Sequence, residues 1–145
     1  DDWSSLIGEF DSGAVGVWEG TTLAKGYGMN GFGHEWAEIN GSKQSAVYRL
    51  HEPHKLWLGR TGDDLAPRDV PVELLKLAGS PRDPRSGVPA TVFRYDLMWE
   101  FVSAIVEGRD AVPSFYDGLR AQVVADAVLQ SHDRRVWIEI PEEPR

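Results

Sequence analysis

The sequence contains no cysteine, and this absence excludes several kinds of site. Without a thiol there is no disulfide framework, no thiolate nucleophile and no cysteine-ligated zinc. A chain of 145 residues does not need disulfides, because a domain of this size buries about two thirds of its unfolded surface and forms its own core. We expect one domain over residues 1–145, with a slight preference for a cytoplasmic location.

Long apolar runs and basic clusters are also missing. No apolar run approaches the roughly 18 residues of a membrane-spanning helix, and the start at Asp1 shows no signal-peptide pattern. A start without methionine is expected of a fragment or a trimmed product. The formal net charge is −8, whereas binding to phosphates requires clustered Lys and Arg. We therefore expect neither nucleic acid nor a membrane as a partner.

Strand signals dominate the first sixty residues. Asp11-Ser12-Gly13 supplies turn chemistry for one hairpin, and Asn40-Gly41 is a strong signal for a second, because both of its residues tolerate positive φ. A further strand follows the second hairpin. The predicted strands are residues 4–10, 14–22, 34–39, 45–51 and 55–60.

Residues 61–91 contain five prolines and form the least regular stretch, with one short strand expected near 70–72. A loop of this length is typically functional or mobile.

Helical patterns occupy the C-terminal part. Apolar residues repeat every four positions from Phe93 to Ile105, and Gly108 is a natural end for this helix. Ser114 and Asp117 have the spacing of a capping box at the start of a second helix. Alternation over residues 136–140 predicts a final strand. The fold class is therefore α+β, a mainly antiparallel open sheet with two C-terminal helices packed on one face.

Two motifs imitate known sites. Residues 26–31 match G-x-G-x-x-G, but a dinucleotide site requires a helix directly afterwards and a strand is predicted there, so we expect no cofactor binding by this segment. His51 and His54 resemble a metal pair, yet Pro53 breaks the helix that such a pair needs and no third ligand is near. We expect no metal, and we interpret these histidines as solvated or capping residues.

A glycine-rich connection over residues 25–33 gives the one candidate site. Its polar side chains can hydrogen-bond hydroxyl groups, and loops of this kind carry function more often than cores do. The alternative is an ordinary exposed loop. The candidate substrate-binding residues are Lys25, Tyr27, Asn30 and His34. No catalytic residue is predicted.

Several segments stand in a recognisable order along the chain: 10–14 with Glu19, 39–43, 100–109, 113–119, 126–128 with Ser131, and 137–140. Their order and spacing resemble the glucose-fructose oxidoreductase, inositol dehydrogenase and MocA (Gfo/Idh/MocA) family. The likeness covers nearly the full chain, and its C-terminal end matches best. One departure is Gln44, where the family often has glycine.

The resemblance implies that this chain is the C-terminal domain of an NAD- or NADP-dependent oxidoreductase that moves a hydride from a sugar or polyol. It also implies an upstream Rossmann domain with a Lys-Pro segment, and an Asp-x-x-x-His pair, none of which is in this sequence. We therefore expect the chain alone to bind no cofactor and to be inactive. Members of the family commonly associate through open sheet faces, so a homo-oligomer using surface such as Trp18 or Trp36 is expected.

Two alternatives come from other functional classes. Six tryptophans offer the rings of a stand-alone carbohydrate-binding or scaffold module, although we favour core or interface roles for most of them. A non-catalytic interaction subunit is a third possibility, and it requires a separate partner chain that carries the nucleotide-binding Rossmann domain.

Overall fold

The computed structural model describes residues 2–27, 34–87 and 89–141, and the chain divides into two compact units. The first unit combines the chain up to Gly26 with the chain from Pro113 onward, and the second is Tyr27–Val112. Each unit contains antiparallel strands and one long helix. The α+β class is confirmed, with the strands arranged in two open sheets.

The first unit begins with a hairpin of β1 (Trp3–Glu9) and β2 (Val15–Thr21). The strands are antiparallel, with Ile7 opposite Val17. The turn closes because the Gly13 N–H donates to the Phe10 carbonyl at 2.8 Å, with Gly13 at a φ of 82° that suits glycine. The first predicted hairpin is confirmed to within one residue at each strand end.

Trp18 lies across the glycines of this hairpin. Its ring covers Gly16, where an added Cβ would be 2.7 Å from Cζ3, and also Gly8, where an added Cβ would be 3.2 Å away. Phe10 completes the contact, with ring centroids 6.1 Å apart. The absence of side chains at the two glycines thus makes the space that the indole occupies.

We expect Gly16→Ala to be less stable than Gly20→Ala by up to about 1 kcal/mol, because the new methyl group displaces the half-exposed Trp18 ring from its contacts. Gly20→Ala is the matched control on the same strand, since nothing lies within 4 Å of its added Cβ. Urea unfolding followed by Trp fluorescence measures both. Equal midpoints for the two variants would contradict the packing described for Trp18.

The helix of the first unit, α2 (Phe115–Arg134), begins with the predicted capping box. The Ser114 hydroxyl accepts from the N–H groups of Tyr116 and Asp117, at 3.2 and 3.4 Å. In return the Asp117 carboxylate accepts from the Ser114 N–H at 2.6 Å. This backbone hydrogen bond, followed by the one from the Ser114 hydroxyl, lowers the pKa of Asp117.

The predicted final strand over residues 136–140 is not formed. After Arg135, which ends α2 at a left-handed φ of 57°, side chains of α2 bind carbonyls of the segment. The Ser131 hydroxyl donates to the Val136 carbonyl at 2.7 Å, and the Arg120 guanidinium donates to the Pro141 carbonyl at 2.7 Å. The apolar and polar residues of 136–140 do alternate, but a strand forms only where a neighbouring strand can pair with it.

The second unit contains a four-stranded antiparallel sheet in the order β3-β4-β5-β6. The second hairpin and the fifth strand are confirmed, although Asn40 pairs with Ser45 and the loop is longer than two residues. The strands are β3 (Trp36–Asn40), β4 (Gln44–Arg49), β5 (Lys55–Arg60) and β6 (Ala66–Asp69).

The strand predicted near 70–72 was placed too late in the sequence. The last strand ends at Asp69, and a short 3-10 helix occupies Val72–Leu74. The Val70 N–H still donates to the His54 carbonyl at 2.8 Å, but Pro71 has no N–H with which to continue the pairing. Proline therefore ends this edge of the sheet.

The helix of the second unit, α1 (Pro89–Glu107), ends at the predicted glycine. Gly108 has a φ of 66°, and the Arg109 N–H donates to the Ala104 carbonyl at 3.1 Å, as in a Schellman motif. Of the apolar stripe that predicted the helix, Leu97, Phe101 and Ile105 are exposed, whereas Glu100 and Ala104 are buried. No helix in the described part of the chain has the length and apolar character to span a membrane.

Candidate functional site

Two of the four predicted site residues lie together in the second unit. The rings of Tyr27 and His34 are 5.4 Å apart between centroids and tilted by 44°, and both side chains are exposed. Lys25 is also exposed but belongs to the first unit, and Asn30 lies outside the described residues. The structure therefore brings Tyr27 and His34 together, and substrate binding by all four residues stays a prediction.

A third ring joins this pair. His51 stacks against His34 with centroids 5.8 Å apart and an angle of 25° between the ring planes. The sequence predicts a solvated or capping role for His51; in the structure its side chain is half-buried, and its ring also contacts that of His34. Among the described residues, no group of three potential metal ligands is present.

Strand pairing explains why the two histidines meet. Trp36 pairs with Arg49 in the antiparallel ladder of β3 and β4. One residue further, the Leu50 N–H donates to the Glu35 carbonyl at 3.0 Å, so the pairing continues past the strand ends. The next opposed positions are His34 and His51, and directly opposed side chains on one sheet face are in contact range.

The same sheet face carries an open groove of about 400 Å³. Side chains alternate between faces along a strand, and the β3 and β4 residues that line the groove are accordingly two positions apart. His34 belongs both to the ring cluster and to this groove, so the two features are continuous. The groove is lined by His34, Trp36, Glu38, Val47, Arg49 and Leu65.

Charged and aromatic groups contact Arg49, one of the residues that line this groove. The Arg49 guanidinium carbon lies 4.5 Å from the centroid of the Trp57 ring, a cation–π contact. Glu52 accepts a hydrogen bond from Lys55 at 3.3 Å and lies 3.7 Å from Arg49. The Lys55 hydrogen bond is the largest cause that lowers the pKa of Glu52. The guanidinium of Arg49 thus lies between the Trp57 ring and the Glu52 carboxylate.

The buried indole N–H of Trp57 forms no full hydrogen bond, although it contributes to the lowered pKa of Glu52. The ring of Trp57 contacts Arg49, and its backbone pairs with Val47 in the sheet.

The arrangement offers several groups that can hydrogen-bond hydroxyls. The phenol of Tyr27 and the imidazole of His34 donate and accept hydrogen bonds, and exposed rings such as Trp36 offer apolar faces. Reasoning from sequence did not find the contributions of His51 and Arg49. Counting outward from a two-residue Asn40-Gly41 turn would pair position 34 with 47, whereas the observed register, with Asn40 opposite Ser45, places 34 opposite 51.

Most of the G-x-G-x-x-G segment, residues 28–31, lies outside the described residues. Gly26 has a φ of 86°, and among the described residues the next regular element is the strand β3. That this segment binds no cofactor stays a prediction.

Comparison with known proteins gives a consistent match over almost the whole chain. The model of an oxidoreductase family, C-terminal alpha/beta domain, matches residues 1–140. Levoglucosan dehydrogenase from Pseudarthrobacter phenanthrenivorans is 26% identical over 98% of this chain and 37% of its own length.

Solved structures agree with this match. An oxidoreductase domain protein from Kribbella flavida has a TM-score of 0.72 and 32% identity, covering 98% of this chain and 37% of that one. Levoglucosan dehydrogenase in its apo form has a TM-score of 0.74 and 26% identity, covering 99% and 38%. The chain thus spans less than two fifths of the length of these relatives.

Proposed function

Because the chain belongs to the Gfo/Idh/MocA oxidoreductase family and matches the C-terminal domain of that family, we propose that it is the substrate-side domain of an NAD- or NADP-dependent enzyme. The complete enzyme oxidises a hydroxyl-bearing carbon of a sugar or polyol. Residues 1–145 form a single domain for substrate contact and oligomerisation, and the nucleotide-binding Rossmann domain belongs to the upstream part of the protein.

The family match over residues 1–140 is the observation that carries this proposal. The relative levoglucosan dehydrogenase has been solved with NADH and levoglucosan, and with NADH and L-sorbose. A cyclic sugar derivative is therefore the first substrate to test. The cluster around His34 supports the same ligand class, since its groups bind hydroxyls and need no counter-charge.

In this proposal Lys25, Tyr27, Asn30 and His34 hydrogen-bond the substrate hydroxyls and orient the reacting carbon. The nicotinamide accepts the hydride when it is bound, and the residues that hold it lie outside this chain. The exposed faces of Trp18 and Trp36 contribute to a homo-oligomer.

Activity measurements test the proposal. We expect the full-length protein to reduce NAD⁺ or NADP⁺ with at least one of levoglucosan, L-sorbose or an inositol, followed by absorbance of the reduced cofactor. The 145-residue chain alone is expected to show no turnover, because it lacks the nucleotide-binding arrangement. A full-length protein inactive on every member of this panel would contradict the activity, and turnover by the isolated chain would contradict its assigned dependence on the upstream domain.

A stand-alone carbohydrate-binding module is the second candidate. The groove beside the exposed Trp36 ring favours it, since sugars stack on such surfaces. Calorimetric titration of the isolated chain with levoglucosan separates the two functions. Binding without any oxidation by the full-length protein would favour the module.

A further inference from the structure

We propose that His51 is a positioning residue of the substrate site, which holds the ring of His34 in the orientation that meets the sugar. This inference rests on the proposed function, because it assumes that His34 contacts the substrate. His51 itself acts through its neighbour, since His34 lines the groove and His51 does not.

The backbone around His51 is anchored on both sides. Leu50 is only 2% exposed, and its N–H donates to the Glu35 carbonyl at 3.0 Å. On the other side the Glu52 N–H donates to the Arg49 carbonyl at 3.0 Å. Because the residues on both sides are held by backbone hydrogen bonds, the Cα of His51 has a defined position.

The Glu52 side chain adds a further tie to the same turn. Its carboxylate is bonded to Lys55 at 3.3 Å, and the Lys55 N–H donates to the Glu52 carbonyl at 2.9 Å. Side-chain and backbone bonds therefore close the turn that carries His51 before β5 begins.

His34 depends more on its ring contacts. It precedes β3, its side chain is exposed, and its ring contacts Tyr27 and His51. An exposed imidazole has several rotamers, and ordering one of them on substrate binding costs free energy. The near-parallel stack with His51 selects a rotamer before the substrate arrives.

The experiment uses the full-length enzyme and the member of the substrate panel that it oxidises fastest. We expect His51→Ala to raise KM roughly three- to tenfold while kcat changes less than about twofold, the size expected for an aromatic contact. His51→Phe keeps the stack and is expected to restore a KM near that of the wild type. His54→Ala is the matched control on the same turn, because its side chain is exposed, and it should change neither parameter.

A double-variant cycle shows whether His51 acts through His34. We expect His34→Ala to raise KM, and adding His51→Ala to that variant should raise KM no further. Thermal unfolding of every variant checks that the fold is retained. If His51→Ala unfolds the protein, the KM of His51→Phe decides: a value near wild type supports the stack, and a value as high as that of His34→Ala overturns it.

The outcomes distinguish the two claims. If His34→Ala leaves KM unchanged, both the positioning role and the assignment of His34 are overturned. If His34→Ala raises KM but His51→Ala does not, or if their effects add fully, only the role of His51 is overturned. A His54→Ala effect equal to that of His51→Ala would also reject the stack, since it would assign the effect to the turn.

Discussion

Arg82→Ala is expected to destabilise the protein by about 3 kcal/mol, roughly a hundredfold in the folding equilibrium, because it leaves a carboxylate without its partner in a nearly buried place. Arg82 makes two hydrogen bonds to Asp96 on α1, at 2.9 and 2.6 Å. A third goes to the Leu75 carbonyl at 2.7 Å. The side chains are only 10% and 20% exposed, so water replaces these bonds poorly.

Arg82 connects α1 to a stretch within residues 61–91, which the sequence predicts to be irregular. Lys76 adds hydrogen bonds to the Ser80 and Arg82 carbonyls, at 2.9 and 3.3 Å. The stretch between β6 and α1 therefore has a defined attachment to the helix, although it contains little regular structure. Loss of the arginine would release this attachment along with the ion pair.

Chemical denaturation of the protein measures the effect, with Arg85→Ala as the control, because Arg85 is exposed and only three residues away. The control is expected to change stability by less than about 0.5 kcal/mol. A loss below 1 kcal/mol for Arg82→Ala would show that the contact with Asp96 contributes no more than a surface ion pair.

Glu100→Gln is expected to lower the urea midpoint of unfolding at pH 7 by a clearly measurable amount. Glu100 is buried on α1 and binds Arg109 with both oxygens, at 2.5 and 3.0 Å. It also accepts from the Val112 N–H at 3.0 Å. The carboxylate thus holds the chain where it leaves the helix, and a neutral amide loses the charge-assisted part of these bonds.

The same contacts make the contribution of Glu100 to stability decrease at low pH. The Arg109 hydrogen bonds, followed by the Val112 N–H, lower the pKa of Glu100 from 4.5 to about 2. Because the folded pKa is below the unfolded one, the contribution is fully present above pH 4.5 and is lost as the pH falls toward 2. The difference in midpoint between wild type and Glu100→Gln should therefore shrink over that interval.

Glu107→Gln is the control for this series. Glu107 also binds Arg109, at 2.6 Å, but its side chain is 56% exposed, so water screens the interaction. We expect a small effect at every pH. If the difference in urea midpoint between the wild type and Glu100→Gln stays constant from pH 6 to pH 2, the lowered pKa of Glu100 is contradicted.

Local chemistry in the sequence was sufficient for most element boundaries. The turn at Gly13, the capping box at Ser114 and the helix end at Gly108 each depend on residues within a few positions of one another. Such signals act through short-range sterics and hydrogen bonds, so they can be identified without knowing the rest of the fold. The family resemblance was likewise present in the linear order of motifs.

Long-range pairing was decided only by the tertiary structure. Residues 136–140 alternate but form no strand, and Leu97, Phe101 and Ile105 of the α1 stripe are exposed while Glu100 on the same helix is buried. Local periodicity predicts which residues share one face of a helix or strand, but it does not specify which other part of the protein covers that face.

For the candidate site, the sequence alone determined the residue types, a tyrosine and a histidine next to a glycine-rich connection. The stack of His34 on His51 joins residues 17 positions apart (51 − 34 = 17), and the bond from Arg82 to Asp96 joins residues 14 apart. Contacts at such separations depend on strand register and on the course of the backbone, both of which come from cooperative folding of the chain.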